Sequence, residues 1–270
     1  EYYVSDESNI DLRTHHSELL CKMKKLFDSK QNFFLHLHYS GIHEGIRDSV
    51  LKSFTNYSNE FFENRKQNEA RYDALFLDAE KYLEHIHNKL DELNLWENSI
   101  IIIFSDHGIS LGEKFGERAY GALCYESTIN TFYSYFSSDL KHKEITSQVR
   151  SVDFMPTILE HLGIKLDKDF EQLDGVSLFP LINDQNHKEN FAYTETGNPL
   201  TSSKPPKKPN TKSIRTSEWK LIVNEHNNTK ELYNLKEDSL EENNLINTGL
   251  EIESVLWKEF LKIQERSVIN

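Results

Sequence analysis

SIIIIFSDHGISLG, residues 99–112, sets four isoleucines and a phenylalanine directly against a polar cluster: Ser105, Asp106, His107 and Gly108. A β-branched run of this length, closed by glycine, predicts a strand over 100–105, buried on both faces as in a parallel or mixed α/β sheet. Ligands of such sheets bind just beyond the carboxyl ends of the strands. Asp106 and His107 fall at that end, where a carboxylate and an imidazole side by side can both hold a divalent cation. Gly108 would let the backbone turn sharply there. Asp-His-Gly is short, and it equally describes a capping aspartate followed by an ordinary loop histidine.

Upstream of the strand, Tyr72, Leu75, Phe76, Ala79, Tyr82, Leu83, Ile86, Leu90 and Leu93 recur at three and four, predicting a helix over 72–93. Leu95-Trp96-Glu97-Asn98 closes it and feeds the strand. FFLHLHY, residues 33–39, alternates and predicts a second strand, with Phe34, His36 and His38 on one face. Two histidines at that spacing can chelate a metal, though partly buried, locally satisfied side chains account for them as well. Beyond it, Ser40-Gly41-Ile42-His43 puts His43 in a loop past the strand end. Leu19, Leu20, Met23, Leu26 and Phe27 predict an earlier amphipathic helix with Ser17 as its N-cap. Residues 44–68 read as an irregular loop with short helical turns and include an Asn56-Tyr57-Ser58 sequon.

Downstream, the loop 113–121 carries Lys114, Glu117, Arg118 and Tyr120. Tyr125-Glu126 then opens a predicted strand over 128–136. Asp153 should cap a helix that runs through Leu162 and stops at Gly163. Asp174-Gly175-Val176-Ser177-Leu178 reads as a turn before a short apolar segment. Past 183–189 the apolar content drops, and short strands follow at 191–194, 213–216, 219–224 and 231–235, with a Pro/Lys-rich loop at 201–212. A helix over 252–263 ends the chain. This organisation predicts a larger domain over 1–188 and a smaller one over 189–270.

Ser105-Asp106-His107-Gly108 with Leu111-Gly112-Glu113 resembles the second metal-binding segment of the sulfatase family, within the alkaline phosphatase superfamily. Tyr72 to Gly112 resembles that family's long helix, its leucine-tryptophan turn and its metal strand. Asp153 with Pro156-Thr157, Asp174-Gly175-Val176-Ser177-Leu178, Leu232-Tyr233-Asn234-Leu235 and Glu241-Glu242-Asn243-Asn244-Leu245 follow in family order. The resemblance implies an α/β fold: a mixed sheet sandwiched by helices, alkaline phosphatase-like, with a smaller C-terminal antiparallel sheet and helix. It implies a metal-dependent hydrolase of sulfate esters using one divalent cation, calcium first, with magnesium, manganese or zinc as alternatives. Asp106 and His107 would be metal ligands, and His43 would contact the reacting anion or the leaving group. Where the family commonly has a lysine or histidine before the Tyr-Glu pair, this chain has Tyr120, so Lys114 or Arg118 would supply the active-site cation. Ile42 stands where a proline is usual.

The family's paired-aspartate strand and its Cys-x-Pro-Ser-Arg or Ser-x-Pro-Ser-Arg nucleophile box have no counterpart among the 270 residues. Cys21 and Cys124 are not followed by Pro and Arg. The first residue is Glu1, and the chain reads as a fragment, inactive alone. Two other activities fit the same frame: a phosphodiesterase or phosphonate hydrolase, and a phosphoethanolamine-type transferase. A non-catalytic module that binds a glycan or a partner is the alternative of another class. The expected ligand is a small-molecule or glycan sulfate or phosphate ester. A net charge of −13 argues against a nucleic-acid partner. The longest apolar run, 100–104, is too short to cross a bilayer, and mean hydropathy is −0.65. Two cysteines make no disulfide framework.

Overall fold

The computed structural model describes residues 11–51, 59–167, 173–185, 187–197 and 208–267. The Asn56 sequon and most of the Pro/Lys-rich loop lie outside these residues. The chain forms two compact units. One is drawn from Glu1–Asp106, Leu111–Gly116 and Phe132–Lys141, the other from His107–Ser110, Glu117–Thr131 and His142–Asn270.

In the first unit, α1 (Leu12–Asp28) starts earlier than its apolar spacing suggested. Asp11 caps it, its carboxylate accepting from Arg13 N at 3.2 Å and Thr14 Oγ1 at 2.7 Å. Ser17 therefore lies inside the helix, its hydroxyl 2.7 Å from His85 Nε2. Short helical pieces follow: α2 (Gly41–Gly45), a π turn (Ile46–Val50) and α3 (Asn59–Glu63). The long helix α4 (Arg65–Glu92) packs on α1 through Leu20 and Leu90. Asn94 ends it in the left-handed conformation (φ 53°), as a polar C-terminal cap does.

The predicted strand over 33–38 is not formed. Its alternation survives, with Phe33 and Leu35 packed into the Leu20–Leu90–Leu95 core and Phe34 87% exposed. The backbone, however, joins no ladder among the described residues, and a strand exists only by pairing. His36 lies on the outward side with its ring stacked on Phe104, centroids 6.5 Å apart. The sheet of this unit is the antiparallel pair β1 (Ile101–Phe104) and β2 (Tyr133–Phe136), in register Ile101↔Phe136 to Phe104↔Tyr133. Its three isoleucines are half-buried and Phe104 is 44% exposed, so β1 is not covered on both faces. Nor does Tyr125-Glu126 open a strand. A short helix, α5 (Glu126–Ile129), intervenes, closed by Ile129 N and Asn130 N on the carbonyls of Tyr125 and Glu126.

The second unit contains α5, α6 (Phe154–His161), α7 (Phe179–Ile182) and a four-stranded antiparallel meander. Its strands are β3 (Ala192–Thr196), β4 (Thr211–Arg215), β5 (Trp219–Asn224) and β6 (Thr229–Asn234), each paired with the next. All four agree with the strands read from the sequence to within two residues. Along β5 the period of two divides the faces. Leu221 and Val223 meet Leu256 and Phe260 of α8 (Glu251–Ser267), while Ile222 packs with Tyr125, Tyr233 and Leu235. Asp153 is the N-cap residue of α6, as expected, but its side chain serves the turn before the helix, accepting from Arg150 N at 3.0 Å, from the Arg150 guanidinium and from Val176 N. No helix among the described residues is long and apolar enough to cross a membrane.

One buried histidine makes the first unit pH-sensitive. His16 is 3% exposed, with Nδ1 2.6 Å from the Tyr82 hydroxyl. Burial, helped by the neighbouring His15 and His38, pulls it down to about 4. The unfolded chain therefore binds the extra proton first, and stability falls as the pH drops from about 6.5 toward 4. Between pH 7 and pH 5 this should cost about 2 kcal/mol. Urea unfolding at both values should show His16→Asn losing about that much less than the parent chain; equal losses would exclude this role.

Candidate functional site

β1 leads directly into the Asp-His-Gly loop. Pairing with β2 continues one residue past the ladder, with Ser105 N on Phe132 O at 3.3 Å. Asp106 follows, exposed, and His107 is partly buried. His107 Nδ1 lies 2.7 Å from the Gly108 carbonyl. A carbonyl only accepts, so Nδ1 carries a proton, and in the neutral ring Nε2 then holds the lone pair. That is the tautomer a metal-binding imidazole needs when its other nitrogen is fixed by the backbone. The ring also meets Tyr120 edge-on, with centroids 5.9 Å apart at 76°.

Gly108 is required for a reason other than a sharp turn. A Cβ there would lie 2.3 Å from the Ser127 carbonyl oxygen, because Gly108 N donates to Thr128 O at 2.9 Å. Two residues on, Ser110 N donates to Ala119 O at 2.9 Å. The 107–110 loop is thus stitched at two points to the segment 117–130. In the first unit, Asn68 is fully buried and donates from Nδ2 to Leu111 O at 2.9 Å and Phe61 O at 3.0 Å. That holds the Leu111-Gly112 turn, where Gly112 sits at φ 112°.

His43 lies in α2, exposed, in the same unit as Asp106 and Lys114. Arg118 lies in the unit of His107, its backbone N–H on the Glu117 carboxylate at 2.8 Å and its carbonyl accepting from Gly121 N. The structure brings together His107 and Tyr120, the residue at the position where the family commonly has a cation. Among the described residues no three His, Cys, Asp or Glu side chains are grouped to hold a metal. Asp106 and His107 fit a divalent cation as two donors, one hard oxygen and one imidazole nitrogen, and so as part of a coordination shell. Cys124 is buried, and burial pushes its thiol up to about 12, which keeps it protonated and inert.

Sequence reasoning missed the buried charges that hold this region. Lys220 is wholly buried on β5, with Nζ 3.0 Å from Glu126 Oε1 and paired with Glu241. Arg215 binds the other oxygen of Glu126 at 2.6 Å, and Glu241 accepts from Glu126 N at 2.8 Å. Burial pushes the Glu241 carboxyl up while Lys220 pulls it back. The signal was present: Lys220 shares a strand face with Ile222, and a lysine on a buried face needs carboxylates. Glu117 is equally buried, its carboxylate accepting from Arg118 N, Ala122 N at 2.6 Å and Leu123 N at 3.1 Å.

Comparison with known proteins follows the same outline. A family model described as Sulfatase matches residues 3–164, and one described as N-sulphoglucosamine sulphohydrolase, C-terminal, matches residues 123–266. Arylsulfatase K of Rattus norvegicus is 29% identical over 227 residues, 80% of this chain and 38% of that protein. Among solved structures, yidJ from Bacteroides fragilis superposes with a TM-score of 0.70 at 19% identity, over 98% of this chain and 60% of its own. BT4656, solved with D-glucosamine-2-N,6-O-disulfate, superposes with a TM-score of 0.57 at 22% identity, over 83% and 51%. These neighbours share the alkaline phosphatase-like fold. The chain spans between 38% and 60% of the length of these three proteins.

Removing one partner of a buried ion pair costs about 3–5 kcal/mol, because the remaining charge is left unpaired. Lys220→Met should destabilise the protein by about that amount in urea unfolding at pH 8. The deficit should shrink as the pH is lowered, because burial favours the protonated Glu241 carboxyl once Lys220 no longer pulls it back. A deficit that does not change with pH would show that the carboxylates are not what Lys220 neutralises.

Proposed function

The chain belongs to the sulfatase family, and from that premise we propose that it forms part of a metal-dependent sulfate-ester hydrolase acting on sulfated sugars. The observation that carries the metal role is His107. Its Nδ1 meets the Gly108 carbonyl, so Nε2 is the nitrogen that would bind the cation, with the exposed carboxylate of Asp106 next to it in sequence. In this reading Asp106 and His107 are two ligands of one divalent cation, with calcium preferred and magnesium, manganese or zinc as alternatives. When bound, such a cation neutralises ester oxyanions and lowers the pKa of the nucleophile.

The chain's own residues do the remainder. His43 donates to the reacting anion or to the leaving group, and Lys114 or Arg118 offsets the ester's charge. Tyr120 takes the place usually held by a cation and instead orients the imidazole of His107. The substrate class follows the relatives: the C-terminal family model is described for a sulphoglucosamine hydrolase, and BT4656 was solved with a disulfated glucosamine. The nucleophile is not encoded in these 270 residues, since neither cysteine stands in a Cys-x-Pro-Ser-Arg box. Two ligands alone bind metal weakly.

The 270-residue chain should therefore show no turnover of a 6-O-sulfated glucosamine with any of the four metals. In a longer polypeptide carrying the aspartate pair and the nucleophile box, sulfate release should require a divalent cation, and Asp106→Ala should abolish it. His43→Ala should lower kcat about 100-fold with KM little changed, as expected for a group acting on the reacting atoms. Release of phosphate or phosphonate esters instead would move the activity elsewhere in the superfamily. Full activity of Asp106→Ala would end the metal assignment.

A further inference from the structure

Glu117 takes no part in the chemistry just proposed, yet it is a wholly buried carboxylate. Burial pushes its pKa up, against the pull of the backbone N–H groups around it. Burying a carboxylate costs several kcal/mol unless it is well satisfied. A loop that merely needs closing has cheaper solutions, such as a standard turn.

What distinguishes segment 117–123 is that it forms no helix or ladder, so its N–H groups have no regular partners. Three of them point at one side chain: Arg118 N at 2.8 Å and Ala122 N at 2.6 Å on Oε1, and Leu123 N at 3.1 Å on Oε2. The loop is thereby wound around its own carboxylate. Between the gathered residues lie Ala119, whose carbonyl receives Ser110 N, and Tyr120, whose ring meets His107. Gly121, at φ 87°, turns the chain between them and would bring a Cβ to 3.1 Å from Thr128 Cβ. All these residues lie in one compact unit.

We propose that Glu117 is a positioning residue: by gathering the N–H groups of 118, 122 and 123 it sets Tyr120 against His107 and so holds the imidazole in the orientation in which Nδ1–H meets the Gly108 carbonyl. The inference deepens the metal role assigned to His107 and rests on that reading for its functional meaning. Glutamine at position 117 keeps the shape but presents an amide NH2 where one carboxylate oxygen receives an N–H, so the gathering is broken at one point.

The test uses the 270-residue chain with 15N-labelled histidine and no metal, read by NMR at one pH. In the parent chain His107 should show the Nδ1–H tautomer as the dominant form and a ring-to-ring cross-peak with Tyr120. Glu117→Gln, folded by circular dichroism, should lose that cross-peak and give a mixed tautomer population. A folded Glu117→Gln with both signals unchanged would overturn the proposal. Should that variant not fold, Tyr120→Leu decides, since it leaves the carboxylate and its N–H partners in place. A redistributed His107 tautomer there supports the link, and an unchanged one sinks it. The readout needs neither turnover nor cation, so it can fail while Asp106 and His107 still bind metal, and it can succeed if they do not.

Discussion

A lysine ammonium cannot be left alone in a protein interior, and much of the second unit is arranged around that constraint. Lys220 is wholly buried on β5, and it is satisfied only because Glu126 and Glu241 come from elsewhere in the sequence to meet it. Glu126 is the first residue of α5, so the ion pair ties that helix to the meander. Two residues on, the carbonyl of Thr128 receives the N–H of Gly108. Thus the placement of the residue next to His107 follows from charge neutralisation on a strand more than ninety positions away. A fully apolar contact could hold the two parts together as strongly. It would not fix the direction of a carbonyl, and a hydrogen bond to Gly108 needs that direction.

The same rule, that buried polar groups must be paired, accounts for several isolated observations. Asn68 holds the carbonyls of Phe61 and Leu111, Asp153 holds Arg150 and the N–H of Val176, and Glu117 holds three N–H groups of its own loop. In each case a side chain satisfies irregular backbone that no ladder or helix can serve. Irregular backbone beside the Asp-His-Gly loop is therefore well determined, although it lacks regular secondary structure.

Much of this was legible in the sequence, and the reason differs by element. The four C-terminal strands could be read because each carries its own alternation and pairs with its neighbour in sequence, so local pattern and tertiary partner coincide. The long helix could be read from nine apolar positions at helical spacing. FFLHLHY could not be read correctly, because alternation reports which side chains face a core and is silent on whether a neighbour offers hydrogen bonds. Its side chains behave as a strand's would, and its backbone does not. Tyr125-Glu126 failed for another reason: Glu126 is committed to Arg215 and Lys220, and that long-range demand outweighed an aromatic run with high β-propensity. The start of α1 was missed because apolar spacing begins at Leu19, whereas the helix is stabilised earlier by Asp11 and by His16 against Tyr82.

Asp106, His107 and Gly108 are adjacent letters answering to different physical demands. Asp106 is exposed where strand pairing ends. His107 has one nitrogen held by the backbone carbonyl of Gly108, which gives a loop histidine a defined ring orientation. Gly108 answers to neither: it is glycine because α5 approaches so closely that any Cβ would overlap the Ser127 carbonyl. The motif is thus partly a record of packing. A chain could carry Asp-His-Gly by chance, but it would then lack the Thr128 carbonyl, the Tyr120 ring and the gathered loop that keep the imidazole in one orientation. The orientation of the three letters resides in those neighbours, and the neighbours are in turn held by buried charges.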